Sequence, residues 1–509
     1  MTAMVSPINE TVQRTARTFL WVLLGLFLAK GIIIALVSAP YSGHDEIAHY
    51  SYVKVLAEEG RLPLIPDLEE WRLAHATGGD TSFDEIPDEF YPYAGHFTTP
   101  DWLRGLAYIP REIFAEDGEW YPSGWIYTAN HPPLYYLWLT PVYWLTDHLP
   151  TDQQMLFMRF ATIPFGMATV AFAWLAARAL FRNDLFLRAL IPAFVALQPQ
   201  IAYESSIINN DILAIMFCSA IFWLLLEGLR NGFSRKIVTW LGIAYGLAIL
   251  GKSSSATMGA IIAMAMVLGI GWRNWRTWLM KGAAVVGIGG AITAPWLIFM
   301  WRTYGELTGL NRVAALQAWW NSQSDNPPTL LGELFNSTFF WFRWKETWGE
   351  FGWRLIELDG YMADVYGIGP RVPTFLTVIL VIVLFGSAGG GIWYWRYRKA
   401  KEEGRKDEVF NPGQWQWIAL WTMAAACVLG YYTVLQFGLS FRLTQARYYF
   451  PMIVPASMLL MLGFRSWLPS NLVRIGGAAL FLSLVILNVL IYTGWVLPYW
   501  YPNAGAGVH

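Results

Sequence analysis

The sequence predicts an all-α polytopic membrane protein with about 11 transmembrane helices and two large extracytoplasmic loops. Of its 509 residues, 55% are hydrophobic and only 14% are charged, whereas soluble domains carry about 25% charged residues. The apolar residues are gathered into long runs, and about 20 such residues suffice to cross a bilayer. The formal net charge of −1 gives no indication of nucleic-acid binding.

The first apolar run covers residues 19–39 and is longer than the hydrophobic part of a signal peptide, so it is predicted to be a retained span. The further predicted spans cover residues 156–181, 189–203, 211–229, 237–251, 254–272, 279–301, 372–395, 414–437, 448–464 and 473–497. The segment 132–147 is short, contains three prolines and is rich in Tyr and Trp. Because these aromatic residues favour the membrane interface, we predict that it lies on or dips into the outer leaflet.

Basic residues determine the predicted orientation. With the N-terminus in the cytoplasm, the inside connections after residues 181, 229, 272, 395 and 464 each carry at least two Lys or Arg, as expected for cytoplasmic loops. This predicts a multi-pass protein of the plasma (inner) membrane. The predicted divisions are a cytoplasmic N-terminus with the first span (1–40), a first outer loop (41–155), a transmembrane bundle (156–301), a Trp-rich second outer loop (302–371), a C-terminal bundle (372–497) and a tail (498–509).

An acidic motif follows the first span on the outer side. Asp45, Glu46 and His49 lie where the helix leaves the membrane, and ionisable residues at such a place are candidates for chemistry. The alternative is a solvated helix end. His44 and His49 are five apart, which does not match the four-residue spacing of a zinc protease helix. Glu46 and His49 share a helical face, so a divalent cation stays open, and no cofactor is certain.

Further candidate residues occur at other outer span ends. His131 lies before a Pro-Pro pair, and Asn210 and Asp211 precede a span, where polar caps are the alternative interpretation. Lys252 belongs to a segment, 246–253, that matches the P-loop pattern. This segment closes an apolar span instead of following a strand, so we reject nucleotide binding. Lys252 is predicted either to extend to the interface or to bind a lipid phosphate.

The last motif lies just before the span at 448–464. Arg442 and Arg447 are arginines on the outer side, against the charge bias, and Gln445 and Tyr448 stand beside them. Guanidinium groups bind phosphate oxygens in pairs, so this segment is predicted to bind an anionic headgroup. Interfacial anchoring is the alternative.

These motifs together resemble the GT-C membrane glycosyltransferases, which include the protein O-mannosyltransferases and the aminoarabinose transferases, and most closely a bacterial branch of that superfold. The resemblance rests on segments 45–50, 209–211, 351–353 and 445–451 and on a first loop that closes with His131-Pro132-Pro133-Leu134. It implies a polyprenyl-phosphate sugar donor used on the outer face. It also implies that a carboxylate at Asp45 or Glu46 is the general base toward the acceptor.

The sequence therefore predicts an inverting glycosyltransferase that moves a sugar from a polyprenyl phosphate to a lipid, glycan or protein. Asp45 and Glu46 are the catalytic candidates, and Arg442, Arg447 and Lys252 the phosphate-binding ones. Two alternatives are a transporter or flippase of lipid-linked sugars and a non-catalytic membrane subunit of a larger complex. A transporter requires ionisable residues deep within its spans, whereas most charges here are found at span ends.

Overall fold

The computed structural model describes residues 10–65, 67–79, 88–93, 127–316, 329–352, 356–358, 372–440 and 445–501. The first half contains α1 (Glu10–Val37), α2 (Glu46–Glu59), α3 (Leu68–Thr77), α4 (Leu134–Thr146), α5 (Thr151–Leu180), α6 (Leu185–Leu197), α7 (Pro199–Glu204), α8 (Asp211–Asn231), α9 (Arg235–Gly251) and α10 (Met258–Ile270). The second half contains α11 (Trp275–Tyr304), α12 (Leu310–Leu316), α13 (Leu330–Leu334), α14 (Ser337–Trp348), β1 (Glu350–Phe351), β2 (Ile356–Glu357), α15 (Val372–Glu402), α16 (Gln414–Ser440), α17 (Ile453–Trp467), α18 (Val473–Ile491) and α19 (Leu497–Trp500).

Nine helices in the described ranges are long and apolar enough to cross a membrane. They are Glu10–Val37, Thr151–Leu180, Asp211–Asn231, Ser253–Ile270, Trp272–Tyr304, Phe375–Glu402, Gln414–Leu439, Ala446–Trp467 and Val473–Trp500. The all-helical, multi-pass prediction is confirmed, whereas the exact number of 11 spans is not.

The two remaining predicted spans are helical but short. The segment 189–203 is divided between α6 and α7 because Gln198 interrupts the helix, and its side-chain oxygen accepts a 2.7 Å hydrogen bond from the Ile201 N–H that starts α7. Helix α9 has 17 residues, or about 26 Å at 1.5 Å per residue. The predicted interfacial segment forms α4, whose 13 residues are too few to cross a bilayer.

Glycines allow two of the long helices to approach closely. Helices α15 and α17 cross at Gly386, Gly389 and Gly463, where a Cβ added to Gly463 would lie 1.8 Å from the Gly386 carbonyl oxygen. No side chain fits at that distance. Small residues permit this kind of contact between backbones in membrane bundles, so the crossing depends on glycine.

The predicted second outer loop is attached to the bundle by hydrogen bonds between its backbone and side chains of α7. Its two short strands pair antiparallel, with Glu350 opposite Glu357. The Gln200 side-chain amide donates to the Glu350 carbonyl at 2.8 Å, and the Gly352 N–H donates to the Tyr203 hydroxyl at 2.9 Å. Because Gly352 has a φ of 61°, glycine suits this turn. These bonds hold the loop against α7, next to the acidic motif. Trp353, part of the motif at 351–353, lies outside the described residues.

Candidate active site

The two adjacent acidic residues of the first motif have different surroundings. Asp45 adopts a left-handed backbone conformation with φ 55° and ψ 17°, and Glu46 begins α2 directly after it. Asp45 lines a cavity, whereas Glu46 is fully buried and does not. Two carboxylates that are adjacent in the sequence therefore lie in different environments, one at a cavity and one in the protein interior.

Glu46 is bound by four donors. Its Oε1 accepts from Arg159 Nε at 2.7 Å and from the Ile208 N–H at 2.9 Å. Its Oε2 accepts from Arg159 Nη2 at 2.5 Å and from the Gly43 N–H at 2.9 Å. This geometry is typical of a structural carboxylate, because every donor comes from the protein itself.

Arg159 extends this contact to the first span. Its guanidinium also donates to the carbonyl oxygens of Ala35, Ser38 and Ala39 at 3.0, 2.7 and 2.8 Å. These groups lie at the end of α1, where helical carbonyls lack partners within the helix. The sequence analysis did not select Arg159, although an ionisable residue within an apolar span indicates a buried partner.

The cavity has a volume of about 330 Å³ and lies at the ends of several spans, on the side that the sequence predicts to be the outer one. Nine of the eleven predicted site residues line it, namely Asp45, His49, His131, Asn210, Asp211, Lys252, Gln445, Arg447 and Tyr448. Glu46 does not, and Arg442 lies outside the described residues. Lining residues that the sequence analysis did not select include Asn130, Asn209, the run Ser253–Ser255, Thr433 and Phe437.

Charges of alternating sign form a chain along the cavity wall. Arg447 Nη2 donates to Asp45 Oδ2, and Arg447 Nε lies 3.4 Å from Asp211 Oδ2. Lys252 Nζ donates to the other oxygen of Asp211 and lies 4.4 Å from the centre of the Tyr448 ring. The order is therefore Asp45, Arg447, Asp211, Lys252. All four are at most 18% exposed, so their attraction is only weakly screened by solvent.

Several buried polar atoms on this wall have no hydrogen-bond partner within the described part of the chain. They are Arg447 Nη1, Gln445 Oε1 and Asn210 Oδ1. Leaving such a group unpaired costs about 1–3 kcal/mol, and buried polar groups are otherwise nearly always paired. The arrangement fits a site that a polar ligand completes. The Glu346 carboxylate fixes the position of the arginine segment by accepting from the Ala446 N–H at 2.9 Å.

Two histidines share one tyrosine at the edge of the cavity. The Nδ1 atoms of His49 and His131 lie 2.8 and 3.2 Å from the Tyr136 hydroxyl. Burial, followed by the charge of the other histidine, lowers the pKa of His49 well below its usual value. Burial, followed by the Lys252 charge, lowers the pKa of His131 to about 4. Both imidazoles are therefore neutral at pH 7 and available for hydrogen bonds.

The residues considered for a divalent cation have different partners. Glu46 is bound to Arg159 and His49 to Tyr136. Within the described ranges, no group of three or more His, Cys, Asp or Glu residues is placed to hold a metal ion. A cation at Glu46 and His49 would first have to break the Glu46–Arg159 ion pair.

A third histidine of the first motif has a different environment. His44 Nδ1 lies 2.9 Å from Glu204 Oε1, and His44 Nε2 lies 3.5 Å from Glu350 Oε1. Burial opposes the charged imidazole, but the two carboxylates outweigh it and raise the pKa of His44 to about 9. A charged His44 thus joins the first motif to α7 and to the second outer loop.

Comparison with known proteins gives one family model that matches part of the chain. Residues 130–299 match the model of the family described as dolichyl-phosphate-mannose-protein mannosyltransferase. This segment includes His131, Asp211 and Lys252. The predicted resemblance to membrane glycosyltransferases is therefore confirmed. A search of curated proteins gives no match.

Several solved structures have a similar shape. ArnT from Cupriavidus metallidurans, in a crystal structure bound to undecaprenyl phosphate, is 15% identical with a TM-score of 0.44 over 94% of this chain and 74% of that chain. The apo oligosaccharyltransferase from Archaeoglobus fulgidus is 12% identical with a TM-score of 0.48 over 92% of this chain. This chain spans only 56% of that protein's length. At TM-scores below 0.5, these likenesses assign no role to any residue.

Proposed function

We propose that this protein is an inverting glycosyltransferase, which transfers a sugar from a polyprenyl-phosphate donor to a hydroxyl group of a lipid, glycan or protein at the outer face of the membrane. The observation that supports it is the cavity in which a carboxylate, Asp45, lies beside two cations, Arg447 and Lys252. Inverting transfer needs a base at the acceptor and positive charge at the leaving phosphate.

The proposed reaction assigns one role to each charge. The acceptor oxygen attacks the anomeric carbon while Asp45 takes the hydroxyl proton. The bond from the anomeric carbon to the phosphate oxygen breaks, and its electron pair leaves with the polyprenyl phosphate. Arg447 and Lys252 stabilise this developing charge. Asp211 contacts both cations and fixes their positions, so it acts as a positioning residue.

Arg447 also explains how Asp45 becomes available as a base. In the structure one nitrogen of Arg447 is bound to Asp45, while Nη1 lacks a partner in the described part of the chain. A donor phosphate is a strong bidentate acceptor for a guanidinium and competes with Asp45 for Arg447. Donor binding then weakens the ion pair and leaves the carboxylate free to accept a proton. We therefore expect donor to bind before acceptor.

The uncharged residues of the cavity suit a sugar. Neutral His49 and His131, the amide of Asn210 and the amide of Gln445 provide hydrogen bonds without charge. Donors and acceptors of this kind match the hydroxyl groups of a monosaccharide. Asp45, Asp211 and Arg447 stand at the ends of helices, not in the middle of spans, which favours a surface enzyme over a transporter.

Native mass spectrometry of the purified protein tests the donor. We expect a co-purified polyprenyl-phosphate sugar, whose mass identifies the sugar. In Arg447→Ala the bound donor should decrease about tenfold or more, because a charge-assisted hydrogen bond contributes about 1.5–3 kcal/mol. Arg447→Lys should retain more donor, since it keeps the charge but loses the fork. Equal donor occupancy in wild type and Arg447→Ala contradicts the assignment.

The base is tested by transfer from that donor in membranes that contain the natural acceptors. Asp45→Asn should reduce the release of polyprenyl phosphate by about 10²–10⁴-fold while donor still binds. Asp147→Asn is the matched control, because Asp147 is an exposed carboxylate outside the cavity. If Asp45→Asn transfers sugar as fast as Asp147→Asn does, Asp45 is excluded as the base.

A further inference from the structure

A second polar cavity lies at the opposite end of α8, the helix that lines both cavities. It has a volume of about 170 Å³. Four arginines and one glutamate belong to its wall, which consists of Gln13, Leu175, Arg178, Arg182, Arg188, Trp223, Glu227 and Arg230. We call it the arginine cavity.

The charged groups of the arginine cavity and those of the candidate active site lie about the width of a membrane apart. Asp211 begins α8 and Arg230 lies in its last turn. The 19 residue steps between them, at 1.5 Å each, correspond to about 28 Å, close to the hydrocarbon thickness of a bilayer. By the charge bias of the loops, this side is the cytoplasmic one. The arginine cavity therefore cannot belong to the site already described.

One guanidinium in this cavity is buried and incompletely bonded. Arg188 is 1% exposed, and its Nη1 donates to the Arg182 carbonyl at 3.2 Å. Its Nε and Nη2 atoms, and Nη1 of Arg182, have no partner among the residues that the structure describes. Residues 1–9, which precede Gln13, contain no Asp or Glu. Buried donors of this kind are nearly always paired, so an acceptor from outside the chain fits here.

The charges in the cavity do not balance. Glu227 is the one carboxylate in its wall; it accepts from Asn231 at 2.6 Å and lies 3.9 Å from Arg230. Burial, followed by the charges of Arg230 and Arg178, lowers the pKa of Arg182. Like charges held this close repel one another, and an anion between them removes the repulsion.

An aromatic ring orients two of the arginines. The guanidinium carbons of Arg178 and Arg188 lie 5.6 and 5.9 Å from the centre of the Trp174 ring. Contact with an aromatic face restricts a guanidinium and leaves its N–H edges free for hydrogen bonds. The donors are thus held in place before any ligand arrives.

We propose that the arginine cavity binds a phosphate group at the cytoplasmic face of the membrane. Phosphate offers several acceptor oxygens and is bound in pairs by guanidinium groups. The source is either the headgroup of an anionic phospholipid in the cytoplasmic leaflet or a free phosphate ion. This site is independent of the proposed transferase chemistry on the other face.

The test measures the melting of the purified full-length protein in neutral detergent. Three probes are titrated: dioctanoyl phosphatidylglycerol, dioctanoylglycerol, which lacks the phosphate, and inorganic phosphate. A ligand that binds only the folded state raises the melting temperature, and at a given concentration a tighter ligand raises it more. Arg182→Gln removes the guanidinium group with its positive charge. The backbone carbonyl at position 182, which accepts a hydrogen bond from Arg188, remains. Arg235→Gln is the matched control, an exposed arginine on the same side of the protein but outside the cavity.

We expect phosphatidylglycerol to stabilise the wild type and Arg235→Gln equally, and to bind Arg182→Gln about tenfold more weakly. Dioctanoylglycerol should have no effect. Equal stabilisation by inorganic phosphate at comparable concentration identifies a free anion as the ligand, and stabilisation by the lipid alone identifies a headgroup. If Arg182→Gln does not fold, the exposed Arg178→Gln replaces it. The proposal is wrong if neither phosphate compound stabilises the wild type, or if the cavity variant responds as Arg235→Gln does.

Discussion

Replacing Glu46 with Gln should destabilise the protein severely, whereas replacing its neighbour Asp45 with Asn should not. Both changes exchange a carboxylate for an amide of nearly the same size. In sequence the two carboxylates are adjacent. In the structure Glu46 is fully buried with Arg159, and Asp45 lies at the edge of a cavity.

The magnitude follows from the donors around Glu46. Each of its oxygens faces two N–H groups, one from Arg159 and one from the backbone. In either orientation, a glutamine side chain must point its NH₂ group at two of these N–H donors, which it cannot accept from. Removing one partner of a buried ion pair costs about 3–5 kcal/mol. Asn at position 45 retains an oxygen for Arg447 and tolerates the left-handed backbone, so about 1 kcal/mol is expected there.

The assay heats wild type, Asp45→Asn and Glu46→Gln side by side in one detergent. It measures the temperature at which half of the monodisperse protein is lost. Donor occupancy by native mass spectrometry gives a second readout. We expect a small shift for Asp45→Asn and a drop several times larger, or no recoverable protein, for Glu46→Gln. If Glu46→Gln melts at the same temperature as Asp45→Asn, the structural role of the Glu46–Arg159 pair is refuted.

Three further predictions use other features. Gly463→Ala should greatly reduce folded protein, because a Cβ there would lie 1.8 Å from a carbonyl oxygen, whereas Gly390→Ala meets nothing within 4 Å; equal yields would contradict the close crossing. The pKa of His44 is raised to about 9 from 6.5, so its stabilising contribution is complete below pH 6.5 and is lost as pH rises through 9. The melting temperature should fall over that range, and His44→Gln should flatten the fall; an unchanged pH profile would count against the charged imidazole. A cysteine at Glu59 should react with an impermeant thiol reagent from outside and one at Glu402 should not; labelling at Glu402 would reverse the orientation.

The sequence was sufficient to predict where most of the helices of the membrane bundle lie. Every predicted apolar run falls on a helix, because long stretches of apolar residues have few alternatives in a membrane. The break at Gln198 was not predicted, since the apolar run 189–203 continues across the residue at which the helix stops. Helix ends depend on local hydrogen bonds such as that of the Gln198 side chain, which hydropathy does not register.

The candidate site was largely predictable because its residues share one side of the membrane. Asp45, Asp211, Lys252 and Arg447 occur at span ends that the charge rule places together, and the structure brings them into one chain of contacts. The burial of Glu46 against Arg159 was not predicted, because it depends on the left-handed backbone of a single residue, Asp45. The partner of Glu46 lies 113 positions away, beyond the reach of any local pattern.

The chain of four charges also fixes when the site can form during synthesis. Asp211 and Lys252 are 41 positions apart and meet early. Arg447 follows Asp45 by 402 positions, which corresponds to about 20–80 s at usual elongation rates. Until Arg447 has been made, Asp45 has no arginine partner from this segment, while the spans between the two residues are inserted. The chain of four charges is therefore completed only after residue 447 has been made, and a chain that stops before it retains Asp45 and Asp211 but only one of the two cations, Lys252.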